Sequence, residues 1–251
     1  MSKRLSRLGS QISNKIGKAI GAYNLIEAGD KILIGISGGK DSLTLLTLLK
    51  ERQRWAPVKY DLHAAYISSN AYRGDAAHKK ALKKIFEELE IPYSFDKISI
   101  QYEKKKANCF WCSWNRRKAL FDLAEELECN KLALGHHKDD IVETTLLNMF
   151  FLGDFSTMNP RQEIFEGKLV IIRPLVYCEE KETAKFAHES NFPTLGRTCP
   201  YGLDTNRKYI KSLINSTQKR IPVIKNNIFR SISRIREDYI NIIDMPQTPD
   251  K

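Results

Sequence analysis

The chain of 251 residues has 41 basic and 30 acidic side chains and a net charge of +11. Its length suits one substantial core, and a hydrophobic content of 42% is typical of a globular protein rather than a disordered one. No apolar run approaches the roughly 18 residues of a membrane span, and the basic N-terminus lacks the apolar region of a signal peptide, so we expect a cytoplasmic protein with no membrane partner.

Apolar runs alternate with helical patterns along the chain. The predicted strands are 31–36, 62–67, 93–100, 131–134 and 168–175, and the predicted helices are 41–52, 76–90, 111–128, 139–151 and 179–190. This α/β order predicts an open parallel Rossmann-like sheet with helices on both faces. Ligands of such folds bind at the carboxyl ends of the strands.

The two ends of the chain differ from the middle in charge. Residues 1–24 are interpreted as a basic N-terminal helical arm, residues 25–202 as the α/β domain, and residues 203–251 as a basic helical segment interrupted at Pro222. Basic segments of this kind favour RNA or DNA backbones. A solvated lysine-rich surface is the alternative for the C-terminal segment.

The segment GISGGKDS, residues 35–42, follows the first predicted strand. A Walker A loop is excluded because Ile34 stands where its first glycine belongs and Asp41 stands where its hydroxyl residue belongs. The dinucleotide pattern G-x-G-x-x-G fails as well, since Ser37 occupies the position of its second glycine.

The same segment can still bind an anion. Two glycines permit a tight turn that aims N–H groups at a phosphate, and the next helix offers its positive end. The residues assigned to this phosphate-binding loop are Ser37, Gly38, Gly39, Lys40, Asp41 and Ser42. Asp41 either caps the helix or meets Mg²⁺.

Three cysteines are spaced for a metal centre. Cys109 and Cys112 form C-x-x-C at the start of a predicted helix, and Cys199 lies in a loop rich in Pro and Gly. Three thiolates suit a [4Fe–4S] cluster with one open iron, while zinc completed by His136 or His137 stays open. The other two cysteines, 129 and 178, have no partner spacing, so we interpret them as packing residues.

The motif GHHKDD lies where the fourth predicted strand meets a helix. Gly135 would let the backbone approach adenine, and Asp139 and Asp140 can cap the helix, hold Mg²⁺ or shuttle protons. His136 and His137 are interpreted as structural or nucleotide-edge contacts rather than metal ligands.

Taken in order, these motifs resemble a known family. Ser-Gly-Gly-Lys-Asp-Ser after a first strand resembles the PP-loop signature of ATP pyrophosphatases, which have an adenine nucleotide alpha hydrolase-like fold. Three further motifs follow in the chain: C-x-x-C with an arginine pair, GHHKDD, and the segment IRPLVYC at 172–178. In this order they make the chain similar to the TtcA family of tRNA 2-thiocytidine biosynthesis proteins. This family belongs to the TtcA/TtuA group of iron–sulfur tRNA thiolases. The similarity runs from about residue 22 to 199, although Gly202 replaces the last cysteine of a second C-x-x-C.

The resemblance implies ATP-dependent tRNA thiolation, with cytidine in the anticodon loop as the expected target. ATP would adenylate the C2 oxygen of the base, and sulfur delivered through the [4Fe–4S] cluster would replace it. The implied catalytic residues are Asp140, Asp139, Arg116 and Lys40, the implied ATP site adds Ile67 and Gly135 to the loop, and the implied cluster ligands are Cys109, Cys112 and Cys199.

The expected cofactors are therefore the cluster, ATP and Mg²⁺, and the expected partners are tRNA and a sulfur donor such as a cysteine desulfurase. A homodimer is left open. Two other functions stay open at this point: another PP-loop RNA-modifying ligase, similar to lysidine synthase, and a zinc-stabilised RNA-binding module without catalysis.

Overall fold

The structure, a computed structural model, describes residues 5–69, 75–98, 109–193 and 205–239. The strands are β1 Lys31–Ile36, β2 Asp61–Ser69, β3 Tyr93–Ile98, β4 Lys131–Leu134, β5 Arg161–Ile164 and β6 Leu169–Ile172. The α-helices are α1 Arg7–Tyr23, α2 Lys40–Arg52, α3 Asp75–Glu88, α4 Cys109–Glu126, α5 Lys138–Leu147, α6 Glu180–Glu189, α7 Thr205–Arg220 and α8 Ile224–Ser231. A π-helical turn, Asn148–Leu152, continues α5, and a short 3₁₀ turn, Glu237–Tyr239, follows α8.

The six strands form one sheet in the order β3-β2-β1-β4-β6-β5. All neighbouring strands are parallel except β5, which pairs antiparallel with β6. The predicted Rossmann-like sheet is confirmed for five strands, whereas β5 was not predicted. Its sequence, RQEI, has no apolar run because β5 lies at the sheet edge and is partly exposed.

The central strands are buried on both faces. In β1, Ile32, Leu33 and Ile34 have no exposed surface, which explains why this strand is a continuous apolar run. Ile32 and Ile34 pack in the core shared with α1, α2 and α6, while Leu33 packs on the opposite face with residues of α4. Within the described residues, no helix is both long and apolar enough to cross a bilayer.

Helix α1 packs against the α/β core. The Ser6 side chain accepts a hydrogen bond from Gly9 N at 3.1 Å and caps the helix. Ile12, Ile16 and Ala19 are fully buried in the main core, so the segment interpreted as an arm contributes an amphipathic helix. The division of the chain into three segments stays a prediction.

Two predicted elements end three or more residues earlier than expected. The predicted helix 139–151 changes at Leu147 into the π-helical turn, which ends at Gly153 with φ +68°. The predicted strand 168–175 ends at Ile172, because Pro174 has no N–H for the strand ladder. The break predicted at Pro222 is confirmed, since it separates α7 from α8. Residues 99–100 of the third predicted strand lie outside the described residues.

Candidate active site

The phosphate loop joins β1 to α2 and is held by its own serines. Ser37 N donates to Ser42 Oγ at 3.2 Å, and Gly39 N donates to Ser37 Oγ at 3.2 Å. Ser42 Oγ donates to Gly39 O at 3.0 Å. Gly38 has φ +79°, a backbone conformation that residues with a Cβ rarely adopt. The loop is therefore ordered just before the positive end of α2, which suits an anion.

Gly135 packs directly against this loop. A Cβ built on Gly135 would lie 2.9 Å from Ser42 N and 3.0 Å from Asp41 C. No side chain fits there, so the β4–α5 turn can approach the beginning of α2 only because residue 135 is glycine. The role of Gly135 beside adenine stays a prediction, and close packing against α2 is a second reason for glycine at this position.

Ile67 lies at the same edge of the sheet. It is buried in β2, and its neighbour Tyr66 pairs in register with Ile36, the last residue of β1. Ile67 is therefore level with the first residue of the phosphate loop. Its role in the ATP site stays a prediction.

Lys40 is paired with two carboxylates. Its Nζ lies 2.9 Å from Asp41 Oδ2 and 3.4 Å from Glu180 Oε1. Burial lowers the pKa of Lys40, but Asp41 and Glu180 outweigh burial and leave the pKa above its ordinary value. Lys40 is thus a stable cation beside the loop.

Asp41 connects the loop to α6 and α5. Its Oδ1 accepts a hydrogen bond from Thr183 Oγ1 at 2.5 Å, and His137 Nε2 lies 3.8 Å from the same oxygen. The sequence left open whether Asp41 caps its helix or meets Mg²⁺. In the described structure both of its oxygens contact other side chains of the site, Lys40 and Thr183.

Asp139 and Asp140 have different surroundings. Asp139 is buried, with Oδ1 accepting from Lys225 Nζ at 2.6 Å and Oδ2 accepting from Glu180 N at 2.7 Å. Burial alone would raise the pKa of Asp139, but the hydrogen bonds from Lys225 and Glu180 N leave it below its usual value. Asp139 therefore caps α6 and anchors α8.

Asp140 caps its own helix with one oxygen. Its Oδ2 accepts from His137 N at 2.9 Å, and Asp140 N donates to His137 Nδ1 at 3.4 Å, which completes a capping box. Asp140 Oδ1 makes no hydrogen bond to any described residue. Of the two carboxylates, Asp140 keeps an oxygen for a ligand.

His136 is held as a neutral imidazole. Burial, together with Arg173, Arg207 and Arg117, lowers the pKa of His136 to about 4 in spite of the nearby Asp140. Its Nδ1 is buried without a hydrogen-bond partner among the described residues. A neutral ring with a free nitrogen agrees with its interpretation as a structural or nucleotide-edge contact.

Five residues that the sequence interpretation missed complete the site. Glu180 and Thr183 belong to α6, and three cations come from the C-terminal helices: Arg207, Lys211 and Lys225. Lys211 Nζ lies 2.6 Å from Glu180 Oε2, and Arg207 Nε lies 3.6 Å from Glu143 Oε2. A pocket of about 290 Å³ lies between α5, α6, α7 and α8 and is lined by Asp139, Glu180, Lys211 and Lys225.

A weak signal for these cations exists in the sequence. Arg207 and Lys211 are four residues apart on one helix, so they share a face with the buried Ile210 and Ile214 nearby. The acidic partners are 31 to 86 residues away, and no local pattern identifies them.

The structure does not describe the side chains of the predicted cluster ligands. Helix α4 begins at Cys109 and includes Cys112, whose side chains are not described, and Cys199 lies outside the described ranges. Arg116 is partly buried in α4, about two turns beyond Cys109. The cluster therefore stays a prediction based on donor chemistry.

The two remaining cysteines are buried, as expected for packing residues. Cys129 and Cys178 are both free thiols. Burial raises the pKa of Cys178 to about 12, so this thiol stays protonated near neutral pH and is a poor metal ligand.

Comparison with known proteins identifies the family of this chain. A family described as the PP-loop domain matches residues 8–195. A tRNA-cytidine(32) 2-sulfurtransferase from Geobacter metallireducens is 40% identical over 236 residues, which cover 92% of this chain and 91% of the relative. The enzyme of the same name from Geobacter sulfurreducens is 38% identical over 245 residues, with coverage of 96% and 95%.

A solved structure supports the fold independently. The U34-tRNA thiolase NcsA from Methanococcus maripaludis, solved with its [4Fe-4S] cluster, superposes with a TM-score of 0.75 and 24% identity over 90% of this chain and 78% of NcsA. The family resemblance predicted from the motifs is confirmed by the sequence relatives. The chain belongs to the PP-loop domain family, in the branch of the tRNA-cytidine(32) 2-sulfurtransferases.

Proposed function

We propose that this chain is an ATP-dependent tRNA thiolase that replaces the C2 oxygen of cytidine 32, in the anticodon loop, with sulfur. The position in the tRNA follows the names of its relatives. The observation that carries the proposal is the contact between the phosphate loop and the GHHKDD turn. There the backbone of α2 lies so close to Gly135 that a Cβ on this residue would be 2.9 Å from Ser42 N. This contact supports the proposal that Lys40 and Asp140 lie around one nucleotide site.

The phosphate loop would hold ATP by its phosphates. The C2 oxygen of the base attacks the α phosphate, the bond between the α and β phosphates breaks, and pyrophosphate leaves. The backbone N–H groups of the loop, the N-terminus of α2 and the Lys40 ammonium stabilise the charge on this leaving group. Adenylation is needed because a carbonyl oxygen is a poor leaving group, whereas AMP is a good one.

Asp140 is the better candidate for the catalytic carboxylate. Its Oδ1, which has no hydrogen-bond partner among the described residues, can bind Mg²⁺ or accept a proton. Both oxygens of Asp139 already accept hydrogen bonds, from Glu180 N and Lys225. Mg²⁺ held there would offset negative charge on the phosphates. Asp139 then acts indirectly, by fixing the position of the turn.

The three cysteines, Cys109, Cys112 and Cys199, would hold the cluster. A [4Fe–4S] cluster bound by three thiolates would leave one iron without a protein ligand, and the sulfur that replaces the oxygen would be delivered through the cluster. Arg116, which follows the C-x-x-C on α4, would offset negative charge between the cluster and the reacting phosphate. Loss of AMP with the original oxygen completes the exchange.

The outer cations of the C-terminal segment would bind the tRNA backbone. Exposed cations of this segment include Lys208, Lys219, Arg220, Arg230, Arg234 and Arg236. The target base has to be splayed out of the anticodon loop to reach the site. A cysteine desulfurase is the proposed sulfur donor, the proposed location is the cytoplasm, and a second copy of the chain is a further proposed partner.

The test begins with anaerobic purification, metal analysis and a tRNA thiolation assay with nucleoside mass spectrometry. We expect about four irons per chain and 2-thiocytidine that forms only with ATP. The Cys199→Ala variant should lose both iron and activity, whereas Cys129→Ala, which changes a buried packing cysteine, should keep both.

Other outcomes identify the alternatives. A colourless protein with zinc and no reconstitutable iron would contradict thiolation and favour the RNA-binding module. An ATP-dependent mass increase that corresponds to an attached amino acid would favour the lysidine synthase-like ligase.

A further inference from the structure

Glu180 is shared between the phosphate loop and the C-terminal helix α7. Its Oε1 lies 3.4 Å from Lys40 Nζ, and its Oε2 lies 2.6 Å from Lys211 Nζ. Glu180 is also the first residue of α6, and its backbone N donates to Asp139 at 2.7 Å. The carboxylate is thus fixed at the point where α2, α6 and α7 meet.

The proposed role of Lys40 requires that it change partners. An ammonium that contacts Asp41 and Glu180 has to turn towards the phosphates when ATP binds. Any carboxylate that holds Lys40 competes with ATP, and a cation that neutralises this carboxylate weakens the competition. Lys211 makes the shorter contact to Glu180, so it takes more of the carboxylate charge than Lys40 does.

We propose that Glu180 is a positioning residue that keeps Lys40 in an ion pair until the phosphates of bound ATP replace Glu180 as its partner. Lys211 of α7 determines how strong the ion pair between Glu180 and Lys40 is. The proposal rests on the ATP site of the proposed function but not on thiolation. It assigns the C-terminal helices a second task, which is to adjust the affinity of the phosphate loop for nucleotide.

The charges around Glu180 agree with this assignment. Burial would raise the pKa of Glu180, but Lys211 and Lys40 outweigh burial and lower it. Glu180 therefore stays ionised at neutral pH and keeps both contacts. Loss of Lys211 would leave Lys40 as the partner of a partly buried carboxylate.

The test is the affinity of the full-length protein for the non-hydrolysable analogue α,β-methylene-ATP, measured by calorimetry without RNA. Glu180→Gln should bind the analogue about threefold more tightly, and Lys211→Met about threefold more weakly, as is typical of a partly exposed ion pair. In ATP-dependent assays these changes should appear in KM for ATP more than in kcat.

Matched controls separate this role from a general effect of charge. Glu179 lies beside Glu180 and pairs with Lys181 at 2.7 Å, and it makes no described contact with Lys40. Glu179→Gln and Lys181→Met change the same charges nearby and should move the affinity by much less. In a Lys40→Met background, the effects of Glu180→Gln and Lys211→Met should disappear.

Two results would overturn the inference. One is an equal change in affinity for Glu179→Gln and Glu180→Gln, and the other is an effect of Glu180→Gln that persists without Lys40. If Lys40→Met binds the analogue too weakly to measure, the comparison of the two glutamate variants in the native background decides. A wild-type protein that does not bind the analogue contradicts the proposed function itself. If Glu180 and Lys211 change the affinity for the analogue through Lys40 but the protein does not thiolate tRNA, this inference still holds.

Discussion

The phosphate loop and the C-terminal helices both bring lysines to Glu180, but through contacts of different range. The loop is closed by hydrogen bonds between residues two to five positions apart, such as Ser37 N to Ser42 Oγ. Lys211 and Lys225 reach acids that are 31 and 86 residues away. The loop can therefore form from local sequence, whereas the C-terminal contacts need the assembled fold.

The comparison also shows that a basic segment can have two functions. The charge of residues 203–251 predicts a nucleic-acid partner, yet Arg207, Lys211 and Lys225 pair with acids of the protein itself. Other cations of these helices, such as Lys208 and Arg230, are exposed. Net charge alone does not distinguish cations that bind a partner from cations that hold the fold together.

The largest effect should come from the loop itself. We expect Lys40→Met to lower kcat/KM for ATP-dependent tRNA thiolation by about 10²–10³-fold, because a charge on the leaving pyrophosphate loses its stabilising cation. Lys50→Met, at the far end of the same helix, serves as the control and should stay within about twofold. A Lys40→Met variant with normal thiolation would show that this loop does not bind the reacting phosphates.

The two aspartates should separate stability from catalysis. Asp139→Asn should lower the free energy of unfolding by about 1.5–3 kcal/mol, because Lys225 and the α6 terminus lose a charged partner. Asp140→Asn should lower activity more than stability. Urea unfolding and thiolation assays on both variants check this, and equal stability losses would contradict the assignment.

The contribution of Asp139 should also depend on pH. Its pKa is lower in the folded protein than in the unfolded chain, so its stabilising effect is fully present above the unfolded value of about 3.9 and is lost as pH falls through the folded value. The difference in unfolding free energy between wild type and Asp139→Asn should therefore shrink below about pH 4. A difference that grows on acidification would be inconsistent with a lowered pKa.

The close contact between the β4–α5 turn and α2 leaves no room for a side chain at residue 135. Gly135→Ala should destabilise the protein by about 1–3 kcal/mol, because its Cβ would meet backbone rather than a flexible side chain. Gly21→Ala, where a Cβ meets nothing within 4 Å, should stabilise α1 by about 0.5–1 kcal/mol. Thermal unfolding measures both, and equal effects would remove the argument for close packing.

The smallest effects are expected for single lysines of the C-terminal helices, and they should distinguish a lysine that pairs with an acid of the protein from an exposed one. Lys225→Met should lower stability by about 1 kcal/mol with little change in the salt dependence of tRNA binding. Lys208→Met should leave stability unchanged and reduce the slope of log affinity against log salt by about one. The reverse result would mean that the two lysines have exchanged roles.

Much of the fold and part of the site could be predicted from local patterns. The apolar run of β1 and the order of strands and helices predicted the sheet, which is confirmed. With the glycines of the loop they also predict a nucleotide site at its carboxyl edge. Strand β5 was missed because an edge strand needs no apolar run, and the π-helical turn was missed because its residues also suit an α-helix.

The sequence by itself determined the phosphate loop, the GHHKDD turn and the spacing of the cysteines, because each depends on residues close together in the chain. Only the tertiary structure decided that Asp139 caps α6, that Asp140 Oδ1 has no hydrogen-bond partner in the part of the chain the structure describes, and that Lys211 and Lys40 share Glu180. Such pairs form when separate helices pack at one edge of the sheet. Their partners are chosen by the packing of those helices and not by any pattern along the chain.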